Sequence, residues 1–249
     1  AVEVRGAGPI VSSAYITVLN SLAGREGKPF RIGDVARVTW NNSATGDDNG
    51  GRVPPVTVTK VQVDFAAFGA TALVEATPAA QVWTASYTVK AGSIDTAQLA
   101  TAVARVIATD SSGMTGTGLA AGVRVDNQAP TVTAPATSFS GATGTSSTFR
   151  INDQLVLAWN NGTVDRNDDI SSVQMDFAPL GGVLTVAVLA NGVYTGTFKV
   201  QAGTIDATGL TASVIATDDV GNTTTAPSRT TKLDKIGRAS CRERVYHPV

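Results

Sequence analysis

The chain has 249 residues, 43% of them hydrophobic and only 16% charged, with a net charge of −1. This balance leaves no electrostatic footprint for nucleic acid, and no apolar run approaches the roughly 18 residues of a membrane span. The length suits two domains of ordinary size, each able to bury its own core.

In chain order, Ile16–Leu19 reads as a first strand and residues 20–29, with Gly24, Gly27 and Pro29, as turns. Residues 35–40 alternate apolar and other side chains at period two, ending on Trp40. A polar loop covers 43–55. A strand over 56–65 follows, its apolar register shifting between Val58 and Val61 as at a bulge. Further strands are expected at 71–76, 82–89, 101–109 and 117–125. A helix over Thr96–Val106 is the alternative to the strand at 101–109. The later segment 207–212, which carries Gly209 and Thr211 at matching positions, argues against it.

The second half repeats the first. Phe30-Arg31-Ile32-Gly33-Asp34 returns as Phe149-Arg150-Ile151-Asn152-Asp153, and Trp40-Asn41-Asn42 as Trp159-Asn160-Asn161. Val63-Asp64-Phe65-Ala66 returns as Met175-Asp176-Phe177-Ala178, and Ile107-Ala108-Thr109-Asp110 as Ile215-Ala216-Thr217-Asp218. The offset shrinks from 119 (30 to 149) to 108 (107 to 215). Blocks that keep their order while the gaps change length are strands joined by variable loops. The unit is too long for a solenoid repeat, so it is a whole domain. Strands are expected in the second copy at 131–134, 154–159, 171–177, 183–189, 193–200, 210–217 and 224–233. Seven short strands in about 105 residues, with turn signals between them, predict a Greek-key β-sandwich. The fold expected is all-β, with two tandem Ig-like sandwiches of about seven strands each, over 1–127 (with an N-terminal extension) and 128–235.

Residues 236–249 break this style. Ile236-Gly237-Arg238-Ala239-Ser240-Cys241-Arg242-Glu243-Arg244-Val245 resembles a vector-derived read-through and is set aside from fold reasoning. The only Cys (Cys241) and the only His (His247) lie there. Removing its three arginines and one glutamate takes the net charge from −1 to −3. No basic n-region precedes the first repeat, and the natural chain is expected to continue beyond the second, into neighbouring domains.

Three blocks in each copy are similar to the tandem Ig-like repeats of large bacterial surface proteins and secreted multidomain enzymes. They are Val61–Gly69 with Val173–Gly182, the aromatic strands around Trp83-Thr84-Ala85-Ser86-Tyr87 and Tyr194-Thr195-Gly196-Thr197-Phe198, and Ile107–Gly113 with Ile215–Gly221. The likeness covers about residues 8–235. Repeat 1 departs from repeat 2 with Met114 in place of Asn222 and a longer 43–55 loop. The resemblance implies an extracellular or cell-surface location and a spacer, adhesin or accessory role. Physically, Trp40 and Trp159 are expected to fill the space between sheets. Asp110 and Asp218 are expected to accept turn N–H bonds, with Gly113 and Gly221 at positive φ.

Acidic loops are the only candidates for chemistry. Asp165, Asn167, Asp168 and Asp169, with Asp47, Asp48 and Asn49 in the matching loop, offer the hard oxygens that calcium takes, although neither loop has the EF-hand spacing. The same residues also serve as ordinary solvated turns. Asp110, Asp126 and Asn127, near the domain junction, are a second calcium candidate, because 125–130 resembles the acidic linker of cadherin-like rods. A short Pro-limited hinge is the simpler reading of that segment. Without a native His or Cys, triads, Cys nucleophiles and the usual zinc sites are absent, and the chain is expected not to be an enzyme. Trp83 is the best candidate for stacking on a surface glycan, the alternative being a core role beside Tyr87. A protein ligand, or self-association through strand addition by residues 1–19, completes the expected partners.

Overall fold

The computed structural model describes residues 7–95 and 101–236. The 237–249 part of the set-aside tail, the 96–100 part of the helical alternative and the 1–6 part of the strand-addition segment lie outside them.

The chain divides into two compact units, Ala1–Ala129 with Val220–Asn222, and Pro130–Asp219 with Thr223–Val249. In the first, β1 (Ile16–Asn20), β2 (Val35–Asn41), β3 (Val58–Asp64), β4 (Val74–Glu75), β5 (Thr77–Ala79), β6 (Val82–Thr88), β7 (Thr101–Ala102), β8 (Arg105–Asp110), β9 (Thr115–Leu119) and β10 (Val123–Arg124) follow in order. They form sheets ordered β1-β2-β6-β5 and β4-β3-β8-β9, with β7 and β10 as a separate pair. In the second unit come β11 (Thr137–Ser140), β12 (Thr148–Arg150), β13 (Gln154–Asn160), β14 (Ile170–Asp176), β15 (Leu184–Val186), β16 (Val188–Ala190), β17 (Val193–Lys199), β18 (Asp206–Leu210), β19 (Ser213–Asp218), β20 (Thr223–Pro227) and β21 (Thr231–Asp234). Their sheets are β11-β13-β17-β16 and β15-β14-β19-β20, with β12-β21-β18 beside them. Each unit is an Ig-like β-sandwich.

Period-two alternation builds the core. Ala36, Val38 and Trp40 of β2 point inward, as do Leu155, Leu157 and Trp159 of β13. Val61 and Val63 face them from β3, and Val173 and Met175 from β14. Phe68 packs edge-on against Phe30 and Phe65 in the first unit, and Phe177 stacks on Phe198 in the second. With no disulfide, this apolar packing holds the sheets together.

Several strands differ from the sequence expectation, and the cause is local. The register of β3 against β8 does shift, between Val58 and Lys60. Of the strand expected at 71–76 only Val74–Glu75 pairs, as β4, before the chain crosses to the other sheet as β5, and the strand expected at 183–189 breaks at the same kind of crossing, as β15 then β16. No strand forms at 131–134. Pro135 starts a 3-10 turn over Ala134–Ala136, and pairing begins only at Thr137. β12, which pairs in parallel with β21, carries no alternation long enough to reveal it. The described strand of the 1–19 segment, β1, is paired with β2 inside its own sheet.

Candidate functional site

The two acidic loops follow equivalent strands, β2 and β13, each ending on Trp-Asn. Both loops share the order Trp-Asn-Asn, a short stretch, then Asp-x-Asn. The middle residue, Asp48 or Arg166, is left-handed, with φ 41° and 57°. That kink lets the flanking Asp and Asn side chains reach different targets.

In the first unit Trp40 Nε1 donates to Asp47 Oδ2 at 2.7 Å, and the same oxygen accepts the Ser12 amide at 2.8 Å. In the second, Trp159 Nε1 donates to Asp165 Oδ2 at 2.7 Å, and Asp165 accepts the amide and hydroxyl of Thr133 at 2.9 and 2.7 Å. Each carboxylate therefore satisfies the one polar atom of a core indole and ties it to the segment by which the chain enters the sandwich. The Asn makes a second tie. Asn49 accepts from Ile10 N (2.8 Å) and donates to Ile10 O (2.9 Å) and Asn42 Oδ1 (2.6 Å). Asn167 does the same with Thr131 N, Thr131 O and Asn161 Oδ1, at 2.7, 2.9 and 2.7 Å. A side-chain amide thus pairs with one peptide unit of the entry segment as a neighbouring strand would. In the first unit Gly116 leaves room for this segment, since a Cβ there would run into the Pro9 carbonyl.

The remaining candidates lie outside the two Trp–Asp–Asn clasps. Asp48 caps its own turn, accepting from Gly51 N at 3.1 Å. Asp168 is exposed and Asp169 half-buried; among the described residues neither Asp165 nor Asp168 belongs to a group of three close carboxylates, whereas Asp169 does. Asp110 accepts the Ser112 amide and hydroxyl and the Met114 amide at 2.8, 2.7 and 2.9 Å, and Gly113 has φ 83°. The Ser112 hydroxyl, with the turn amides, holds the Asp110 carboxyl below its usual range against the opposing pull of burial. Asp126 is buried and accepts from Gln128 N. Asn127 is buried and binds both polar backbone groups of Ile94. Among the described residues no buried side-chain polar atom lacks a partner.

Two buried carboxylates were missed in the sequence. Asp34 takes Asn20 Nδ2 at 2.6 Å and Arg25 Nε at 3.2 Å. Its counterpart Asp153 takes the Thr143 hydroxyl at 2.6 Å and the Arg150 amide at 2.8 Å. Burial pushes the Asp153 carboxyl up, but the Thr143 hydroxyl, the two amides and the Arg150 charge bring it below its usual range. The repetition of Asp34 as Asp153 was the available signal.

No family model matches the chain, and no curated protein matches it. Among solved structures it is similar to fibronectin(III)-like modules of Clostridium thermocellum CbhA, at 18% identity and TM-score 0.31, covering 90% of this chain and 97% of that one. It is similar to a 1.5-MDa bacterial ice-binding adhesin, at 16% identity and TM-score 0.38, covering 92% of this chain and 66% of that one. It is also similar to a tetra-tandem repeat in the extending region of a large adhesion protein, at 20% identity and TM-score 0.28, covering 92% of this chain and 50% of that one. These structural neighbours are fibronectin III-like modules and adhesin repeats; at such scores function has to be argued from the chain's own residues. No described helix is long and apolar enough to cross a membrane.

Proposed function

We propose that the chain is a non-enzymatic pair of load-bearing modules from a bacterial cell-surface or secreted protein, extending or displaying neighbouring domains. The observation that supports this reading is the duplicated clasp. In both units one loop carboxylate, Asp47 or Asp165, holds the entry segment to a core tryptophan. In a tandem chain, tension reaches each sandwich through its terminal segments. Two side chains that lock residues 10–12, or 131–133, oppose peeling at that point.

Single-molecule stretching of the chain tests this. Two separate force-resistant events are expected, one per unit, each releasing about 100 residues at up to about 3.6 Å per residue. Asp47→Ala with Asn49→Ala should lower the force of one event, and Asp165→Ala with Asn167→Ala that of the other. Extension without a resistant event, or clasp variants that unfold at unchanged force, would overturn the mechanical role.

A further inference from the structure

The first unit holds a cavity of about 340 Å³ that shares only Asn42 with the clasp, lined by Asn42, Gly50, Thr57, Pro78, Gln81 and Trp83 among others. Such a volume lies within the range of small-ligand sites. It opens where the β5–β6 hairpin meets the 43–55 loop and the start of β3.

The cavity follows from specific departures of repeat 1 from repeat 2. The hairpin turn of repeat 2 is Asn191-Gly192, with φ 52° and 76°. Those residue types suit a turn with two positive φ values. Gly192 there presses on Gly162, where an added Cβ would stand 2.8–3.0 Å from the facing Cα, and Gly192 O accepts both Asn161 N and Gly162 N. Repeat 1 has Ala80-Gln81 in the same turn, with φ 47° and 64°, and Ser43 in place of Gly162. Side chains now stand where two glycines met, and the bond that Gly162 N makes to Gly192 O has no counterpart at Ser43. Only the Asn42 N bond to Gln81 O remains at 3.1 Å. Ala and Gln are held in a conformation that each adopts at a cost, and such strain persists where something else requires it.

The aromatic partner changes at the same place. Tyr194 is 9% exposed and stacks on Trp159 at 5.4 Å. Its counterpart Trp83, opposite Trp40 in the sheet, is half-buried and lines the cavity. Around it, the Gln81 carboxamide and the Thr57 hydroxyl are exposed and make no hydrogen bond among the described residues. Asn42 Oδ1 is committed to Asn49, which leaves its NH2 group as a donor. None of the lining residues is ionisable.

We propose that this cavity binds a neutral saccharide, one ring stacked by its apolar face on Trp83 and its hydroxyls bonded to Gln81, Thr57 and Asn42. The indole supplies a flat apolar surface beside a polar tip, the amides and hydroxyl both donate and accept, and the absence of charge disfavours acidic sugars. This site is independent of the mechanical reading.

Tryptophan fluorescence tests it in the full chain. Of the three tryptophans, Trp40 and Trp159 are 1% and 0% exposed, so a ligand-induced change reports Trp83. Titration with neutral hexasaccharides of glucose, xylose and mannose, up to about 10 mM, should give a saturable shift for at least one. Trp83→Leu, which removes the reporter, should abolish binding measured by isothermal titration calorimetry. Gln81→Gly should weaken binding by about tenfold or more while raising the melting temperature, because glycine suits φ 64°. That opposite response separates a lost contact from a damaged fold. No saturable shift with any neutral hexasaccharide, undiminished binding by Gln81→Gly, or tighter binding of a galacturonic acid hexamer would each overturn the proposal.

Discussion

The two sandwiches solve the same problems with different side chains. At the corner after β3 in the first unit, Tyr87 Oη donates to Gly69 O at 3.0 Å. The second unit has Phe198 at that place and no hydroxyl. Lys235 instead donates to Leu180 O at 2.9 Å and Gly181 O at 3.3 Å, its ammonium 5.2 Å above the Phe198 ring. Asp34 is satisfied by arginine and asparagine, Asp153 by threonine and backbone amides. What the fold demands at these places is a satisfied polar atom, and the residue type is free. The clasp is the contrast: Trp, Asp and both Asn are the same in the two units, the Asp and one Asn reaching the entry-segment backbone while the Trp donates to the Asp.

The largest effect should come from the shared tryptophans. Trp40→Ala and Trp159→Ala each remove a fully buried indole and should cost about 3–5 kcal/mol. The loss should be read by hydrogen exchange in the strands of the altered unit. If Trp83→Ala destabilises as much as Trp40→Ala, the half-buried position of Trp83 has been misjudged.

Next are the carboxylates. Asp47→Ala and Asp165→Ala leave an indole N–H without its acceptor and should each cost about 1–3 kcal/mol, measured by denaturant melts. These variants also address calcium. If calcium raises the melting temperature of the chain relative to EDTA, the clasp reading requires that rise to survive Asp47→Asn and Asp165→Asn. A rise abolished by those changes would make the loops calcium sites.

Acid should reveal the depressed carboxyls. Asp110 and Asp153 are held below the ordinary aspartate range in the folded chain. Their contribution is therefore fully present above the unfolded value, near pH 4, and is lost as pH falls through the lower folded values. Melting between pH 7 and pH 2 should steepen below about pH 4. Asp153→Asn should flatten that fall in the second unit and leave the first unchanged.

Much of the fold was legible because it depends on alternation and duplication. Trp40 and Trp159, at the ends of alternating runs, marked the core, and the Asp110 turn followed from its Asp-x-x-Gly spacing. The clasp was half legible. Asp-x-Asn stood out as a repeated acidic loop, but its partners lie 32–39 residues away at Ile10, Ser12, Thr131 and Thr133. No local pattern ties such distant backbone groups to a side chain, so the sequence shows the loop oxygens without these partners. The strands that change sheet were hidden for a related reason. A crossing between sheets keeps strand-like residues on both sides of the break, and only tertiary pairing shows where it falls.

The smallest effect on stability, and the sharpest contrast between the units, lies at the edges. Glu75 of β4 and Val186 of β15 occupy one position, each opposite a glutamine on the next strand. Pro78 of β5 and Leu189 of β16 likewise share a position. Charge and proline protect an edge strand from pairing with another chain, and Lys60 lies 3.8 Å from Glu75. β15 and β16 have neither device, and Val186, Val188 and Leu189 are 70%, 68% and 55% exposed. Transplanting the protected edge with Val186→Glu and Leu189→Pro should change folding free energy by less than about 0.5 kcal/mol for the exposed valine, and it should reduce light scattering on heating. Glu75→Val with Pro78→Leu should raise scattering. Equal scattering from all three proteins would mean that association on heating runs through the unfolded chain and not through these edges, and the difference between the two units would then be neutral.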